Sequence, residues 1–144
     1  MNLLKTVTGI IFVCVSLTTT ATSTANVESL KGTLLVVNKK DDTVNFIDLA
    51  SKKIKYTRNT GKGPHELAIT KDGKWAVVTN YVGGNSLTVF DVQHAKAVRT
   101  IDLTEYSRPH GILFLRDQQR VAVSSEGSNS VVIVDIHQGL VEKV

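Results

Sequence analysis

Short runs of alternating apolar and polar residues dominate this sequence. In the middle of the chain four such runs follow one another, at residues 66–70, 74–80, 86–92 and 97–103. Alternation with period two places successive side chains on opposite faces of a strand, and Val, Ile, Leu, Thr and Phe are favoured in half-buried strands. The breaks at Asp72-Gly73 and Gly83-Gly84 supply glycines for hairpin turns. The pattern predicts four consecutive antiparallel strands.

The same pattern recurs on both sides of this central segment. Asp48, Asp91 and Asp135 end equivalent runs at intervals of 43 and 44 residues, and the pairs Pro64-His65 and Pro109-His110 are 45 residues apart. A period of about 40–45 residues with strands alone is typical of β-propeller blades. We therefore predict an all-β fold with about 2.7 four-stranded blades.

Strand boundaries in the two flanking repeats follow from the same alternation. The first repeat has runs at residues 33–38, 43–49 and 53–57, and it lacks an innermost strand. The third repeat has runs at residues 111–115, 120–124, 130–136 and 140–144. The sequence predicts almost no helix in this region.

The central repeat carries a recognisable motif. Residues 64–73 read Pro-His-Glu-Leu-Ala-Ile-Thr-Lys-Asp-Gly, and residues 75–81 read Trp-Ala-Val-Val-Thr-Asn-Tyr. Over residues 32–144 the chain resembles the YVTN-type β-propeller repeats of exported bacterial and archaeal proteins. The flanking repeats depart from the motif at residues 37–39 and 124–126. The resemblance implies a propeller, and relatives include binding proteins, lactonases and proteins that accompany redox systems.

The N-terminus has the features of an export signal. Lys5 precedes an apolar stretch at residues 7–17, and small residues follow up to Ala25. We expect a signal peptide at residues 1–25, an incomplete propeller domain at residues 26–144, a periplasmic or secreted location, and no integral membrane segment after cleavage. Because the single cysteine is Cys14, the mature part has no disulfide and no cysteine-based metal or redox site.

Length sets a further expectation, because a closed propeller needs about 4–8 blades. We expect the sequence to be the N-terminal part of a longer protein; a truncated gene product and an assembly of short chains are the alternatives. Blades bury their faces against neighbours, so the expected partners are the remaining blades or a protein that covers the exposed faces.

Candidate functional residues concentrate where one blade passes to the next. In a propeller these crossings surround the mouth of the central channel, so residues one repeat apart become neighbours. The tentative ligand-binding residues are Arg58, His65, Glu66, Tyr81, Arg108, His110 and Glu126. Imidazoles there could bind a metal, orient an anionic ligand or act as a base, and the arginines suit carboxylate or phosphate. In the alternative interpretation, each Pro-His pair has only a structural role at the junction between two blades.

Two function classes remain open from the sequence. The first is an exported binding or scaffold module with a ligand site at the channel mouth, its partner an anionic small molecule or a nucleic acid. The second is a fragment of a lactonase-like or redox-associated enzyme, since Pro64-His65 is similar to a pair in lactonase-type propellers. A net charge of +4 is spread over the turns and favours neither class. No catalytic residue, metal site or cofactor is assigned, since neither His-x-His nor His-Glu-x-x-His is present.

Overall fold

A computed structural model describes residues 30–144, and the predicted signal peptide lies outside these residues. Within them the chain forms short strands and one 3₁₀ turn at Thr104–Tyr106. The strands are β1 (Thr33–Asn38), β2 (Thr43–Asp48), β3 (Lys53–Asn59), β4 (Pro64–Ile69), β5 (Trp75–Asn80), β6 (Ser86–Asp91), β7 (Lys96–Asp102), β8 (Pro109–Phe114), β9 (Arg120–Ser125), β10 (Ser130–Asp135) and β11 (Val141–Lys143).

These strands form three antiparallel sheets in sequence order. Blade 1 contains β1–β3, blade 2 contains β4–β7 and blade 3 contains β8–β11. In blades 2 and 3 the first strand is the inner one, and β4 lies beside β8. The predicted all-β class is confirmed, as is the four-stranded repeat, and within residues 30–144 blade 1 has three strands.

Turn chemistry explains where the hairpins form. Residues with positive φ stand between the strands, among them Asp42, Gly73, Gly83 and Asn129. Glycine tolerates this conformation, and Asn and Asp adopt it more readily than other side chains. The hairpins at Asp72-Gly73 and Gly83-Gly84 therefore fall where the sequence predicted them.

The repeated aspartates have a structural role. A side-chain oxygen of Asp48 accepts a hydrogen bond from the amide of Ser51, and one of Asp91 accepts from the amide of His94. Asp135 accepts in the same way from two amides in the turn that follows β10. The carboxylates thus satisfy turn amides that would otherwise lack partners.

The core lies between the blades. One cluster joins Val44 and Phe46 of blade 1 to Val78 and Phe90 of blade 2, and the two phenylalanine rings meet edge to face at 5.9 Å. A second cluster joins alternate residues of blade 2, such as Val77, to blade 3. Because β5 and β6 contribute to both clusters, nearly all their side chains are buried.

The only tryptophan of the sequence, Trp75, is partly buried and packs against the second cluster. Its ring meets the ring of His137 in blade 3 edge to face at 5.1 Å.

The inner strands begin earlier than predicted. β4 starts at Pro64 and β8 at Pro109, whereas the alternation placed their starts at Glu66 and Gly111. The alternation of apolar and polar residues does not reveal these starts, because an irregularity near the beginning of each strand interrupts the alternation. Among residues 30–144, no helix is long and apolar enough to span a membrane.

Candidate functional site

Each inner strand opens with a β-bulge. Pairing of β4 with β5 is interrupted between Pro64 and Leu67, which leaves His65 and Glu66 outside the regular ladder. The equivalent interruption in β8 falls at residues 109–112. A bulge changes the direction in which a side chain projects. The histidine side chain of each Pro-His pair therefore does not follow the regular alternation between the two faces of its strand.

Hydroxyl groups on the neighbouring strands hold these bulges. The amide of Glu66 donates to Thr79 Oγ1 at 3.0 Å, and the amide of Gly111 donates to Ser124 Oγ at 2.9 Å. Thr79 Oγ1 in turn donates to the carbonyl of His110 at 3.1 Å. This last bond joins the two bulges across the boundary between blades 2 and 3.

The two histidines become direct neighbours. The ring centroids of His65 and His110 are 4.3 Å apart, and each lies 5.2 Å from the ring of Tyr81. Tyr81 follows β5, so one repeat supplies two of these rings and the next repeat supplies the third. Six of the seven predicted site residues meet here: His65, Glu66, Tyr81, Arg108, His110 and Glu126. We call this set the entrance cluster.

Tyr81 connects the charged members of the entrance cluster. Its hydroxyl donates to Glu126 Oε2 and accepts a hydrogen bond from Arg108 Nη2. Arg108 Nη2 also lies 3.2 Å from the same carboxylate oxygen, and its guanidinium lies over the tyrosine ring at 4.9 Å. The arrangement combines an ion pair with a cation–π contact.

These contacts shift the pKa values of both charged groups. The hydrogen bond from Tyr81 lowers the pKa of Glu126 below its ordinary value, burial opposes this, and the charge of Arg108 adds to it. The hydrogen bond to Tyr81 and the charge of Glu126 raise the pKa of Arg108. Both side chains are about half exposed, so solvent screens their attraction.

Arg58 does not join the entrance cluster. It pairs with Val44, which is buried between blades 1 and 2, and so its side chain lies on the face of β3 directed toward blade 2. Its Nε donates to the carbonyl of Ala95 at 2.6 Å, in the turn between β6 and β7. The residue equivalent to Arg108 is instead Gly63. The Gly63 carbonyl accepts a hydrogen bond from the amide of Tyr81, directly after β5, and the Arg108 carbonyl accepts one from the amide of Glu126, directly after β9.

Lys39 was not predicted as a site residue. It directly follows β1, as Tyr81 follows β5 and Glu126 follows β9, so it occupies the equivalent position in blade 1. Its Nζ lies 5.2 Å from the centroid of the tyrosine ring. The repeat alignment could have revealed this residue, since Val37-Asn38-Lys39 matches Thr79-Asn80-Tyr81 in position.

Glu66 also lies close to the two histidines. Its Oε1 lies 3.5 Å from His65 Nδ1, and ligand-type atoms of His65, Glu66 and His110 all fall within 4.8 Å of one another. His65 Nδ1 is buried, and its contact with the carboxylate does not have hydrogen-bond geometry. These three residues could hold a metal ion, although no local spacing in the sequence indicates it.

An open concavity borders the entrance cluster. It has a volume of about 780 Å³ and is lined by Tyr81, His110 and Glu126 together with serine and valine side chains of blade 3. A smaller one of about 450 Å³ extends from Glu66 past Gly111 over the sheet of blade 3. Val131 lines both concavities, so both adjoin the outward face of blade 3, which a neighbouring blade covers in a propeller.

Comparison with known proteins assigns the chain to a family. The sequence gives no match among curated proteins. Among solved structures, Kuenenia stuttgartiensis hydrazine synthase is similar, with 26% sequence identity and a TM-score of 0.68 over 78% of this chain and 31% of the synthase chain. The chain thus spans about a third of that chain's length. The sequence profile of the YNCE-like β-propellers matches residues 7–143, and the chain therefore belongs to the YNCE-like β-propeller family.

Proposed function

We propose that this chain is the binding part of an exported β-propeller and that a small anionic molecule binds at the entrance cluster. The observation that carries the proposal is the convergence of six chemically active side chains from two successive blades. They come together at the start of the inner strands, which in a propeller surround the mouth of the channel.

Positive charge at this place favours an anion. Arg108 keeps 52% of its side chain exposed, and only Nη2 contacts Tyr81 and Glu126, so further N–H donors of the guanidinium are available to a ligand. Lys39 approaches the same tyrosine ring. Imidazole N–H groups of His65 and His110 add donors that suit carboxylate or phosphate.

Isothermal titration calorimetry with citrate and inorganic phosphate tests this proposal. We expect Arg108→Ala to weaken binding about tenfold or more, because a hydrogen bond between charged groups contributes about 1.5–3 kcal/mol. Arg120→Ala is the matched control, since Arg120 is also half exposed and paired with a carboxylate, that of Asp117. Equal losses in the two variants, or no binding of either anion, would contradict the proposal.

Export is the second part of the proposal. The basic residue, the apolar stretch and the small residues at the N-terminus support it. Cell fractionation of the full chain, with mass spectrometry of its N-terminus, tests it. We expect a product that begins at Asn26 in the periplasm or the medium; a full-length cytoplasmic product would contradict it.

A second candidate is a hydrolytic or redox-associated enzyme. Similarity to a protein named as a synthase favours it, although the chain covers 31% of that protein. Lactone hydrolysis, measured with and without divalent metal, is the first assay. Activity that His65→Ala and His110→Ala both abolish while circular dichroism stays unchanged would favour this candidate over a simple binding module.

A further inference from the structure

The histidine pair has an unused ligand atom. His65 Nδ1 is buried, and within residues 30–144 it makes no hydrogen bond. An imidazole nitrogen in such a place normally has a partner, because an unsatisfied buried polar atom costs about 1–3 kcal/mol. Ring packing accounts for the 4.3 Å separation of the imidazoles, but it leaves this nitrogen without a partner.

Geometry gathers two further ligand atoms around it. Glu66 Oε1 is 3.5 Å from His65 Nδ1. One ring nitrogen of each histidine and a carboxylate oxygen of Glu66 lie within 4.8 Å of one another. Neighbouring ligand atoms on a tetrahedral zinc ion are about 3.3 Å apart, as bond lengths of 2.0–2.1 Å require. A tetrahedral site therefore requires rotation of one imidazole to close the remaining difference.

Backbone structure keeps the ligands together without the metal. The bulges in β4 and β8 project both histidines, and the bond from Thr79 Oγ1 to the carbonyl of His110 fixes one bulge against the other. Gly111 follows His110 at the position where Glu66 follows His65, so the second repeat contributes no competing side chain there. The Glu66 carboxylate therefore has access to both imidazoles.

We propose that His65, Glu66 and His110 bind one divalent transition-metal ion, with Zn²⁺ as the reference ion. Two imidazoles and one carboxylate suit zinc, nickel and copper, and three protein ligands leave an open coordination position. Glu66 supplies negative charge to the site, and the guanidinium of Arg108, in the same entrance cluster, is paired with Glu126. The proposal goes beyond anion binding and does not depend on it, because the three ligands hold the ion by themselves.

Calorimetric titration of tag-free, chelator-treated protein with Zn²⁺ tests the inference. We expect one ion per chain and a loss of affinity of about 100-fold or more in His65→Ala and in His110→Ala, since loss of even an outer-shell partner costs 10–100-fold. His94→Ala is the matched control, because His94 is an exposed imidazole paired with Asp91 away from the cluster. Stoichiometry and affinity unchanged by either cluster substitution would overturn the proposal.

X-ray absorption on the unmodified protein gives an answer that does not depend on folding of the variants. We expect two imidazole nitrogens and a carboxylate oxygen around the zinc. A first shell without imidazole, or absence of stoichiometric binding, would overturn the proposal. Anion titration of metal-free protein reports separately on the proposed function, so the two can fail independently.

Discussion

Two equivalent residues show how single positions differ between the blades. Gly63 and Arg108 both have φ of +57°, a conformation that glycine adopts freely and arginine at a cost. A Cβ at Gly63 would lie 2.9 Å from the carbonyl oxygen of Val82. Arg108 nevertheless has a side chain at the equivalent position, and that side chain reaches Tyr81.

Gly63→Ala should therefore destabilise the protein by about 1–3 kcal/mol, because strain at positive φ adds to a backbone clash. Denaturant unfolding followed by circular dichroism measures the loss. Gly73→Ala is the control, since φ is +71° there but no atom lies within 4 Å of an added Cβ. Equal losses in the two variants would mean that the contact with Val82 contributes nothing.

Tyr81→Phe should raise the pKa of Glu126 toward its ordinary value of 4.5, because the tyrosine hydrogen bond is the largest cause of its lowering. A lowered pKa in the folded state stabilises the protein above the unfolded-state pKa, and this contribution is lost as pH falls through the folded-state value. NMR titration of the side-chain carboxyl measures the change. Tyr56→Phe, an exposed tyrosine on β3, should leave it unchanged.

At the scale of strands, alternation predicted nearly every element but missed the start of the inner strands. The reason is physical: a bulge inserts residues that do not obey period two, so Pro64 and His65 looked like a loop. The repeat spacing supplied the information that alternation lacked. Residues 45 positions apart occupy equivalent places in adjacent blades, so they are neighbours whatever their local conformation. Arg58 was wrongly grouped with Arg108 because no repeat partner fixed its position, and the ladder directs it toward Ala95.

Thr79→Val should cost about 1–3 kcal/mol of stability, because the amide of Glu66 and the carbonyl of His110 would both lose their hydroxyl partner at constant side-chain volume. Thr100→Val, on the exposed strand β7, should be nearly neutral. Thr79→Val should also weaken Zn²⁺ binding if the bulges position the ligands. Unchanged stability would mean that water replaces the hydroxyl at no cost.

At the scale of the molecule, the contacts between blades hold the sheets together. Each described interface is apolar on both sides, while the outward face of blade 3 exposes Leu113 and Val131, and that of blade 1 exposes Leu34 and Ile54. Exposed fractions of these four side chains range from 44% to 58%. In propellers such faces are covered by neighbouring blades.

A chain comprising residues 26–144 should therefore associate with itself as its concentration rises. Light scattering and sedimentation velocity measure the association. Lysine at both Leu113 and Val131 should suppress it, because charge on an apolar face opposes its burial. Val98→Lys is the matched control: Val98 is 46% exposed but lies on the outer strand of blade 2, away from the free sheet faces, and it should leave the association unchanged. A monodisperse monomer at all concentrations, with cooperative unfolding, would show that these faces need no cover.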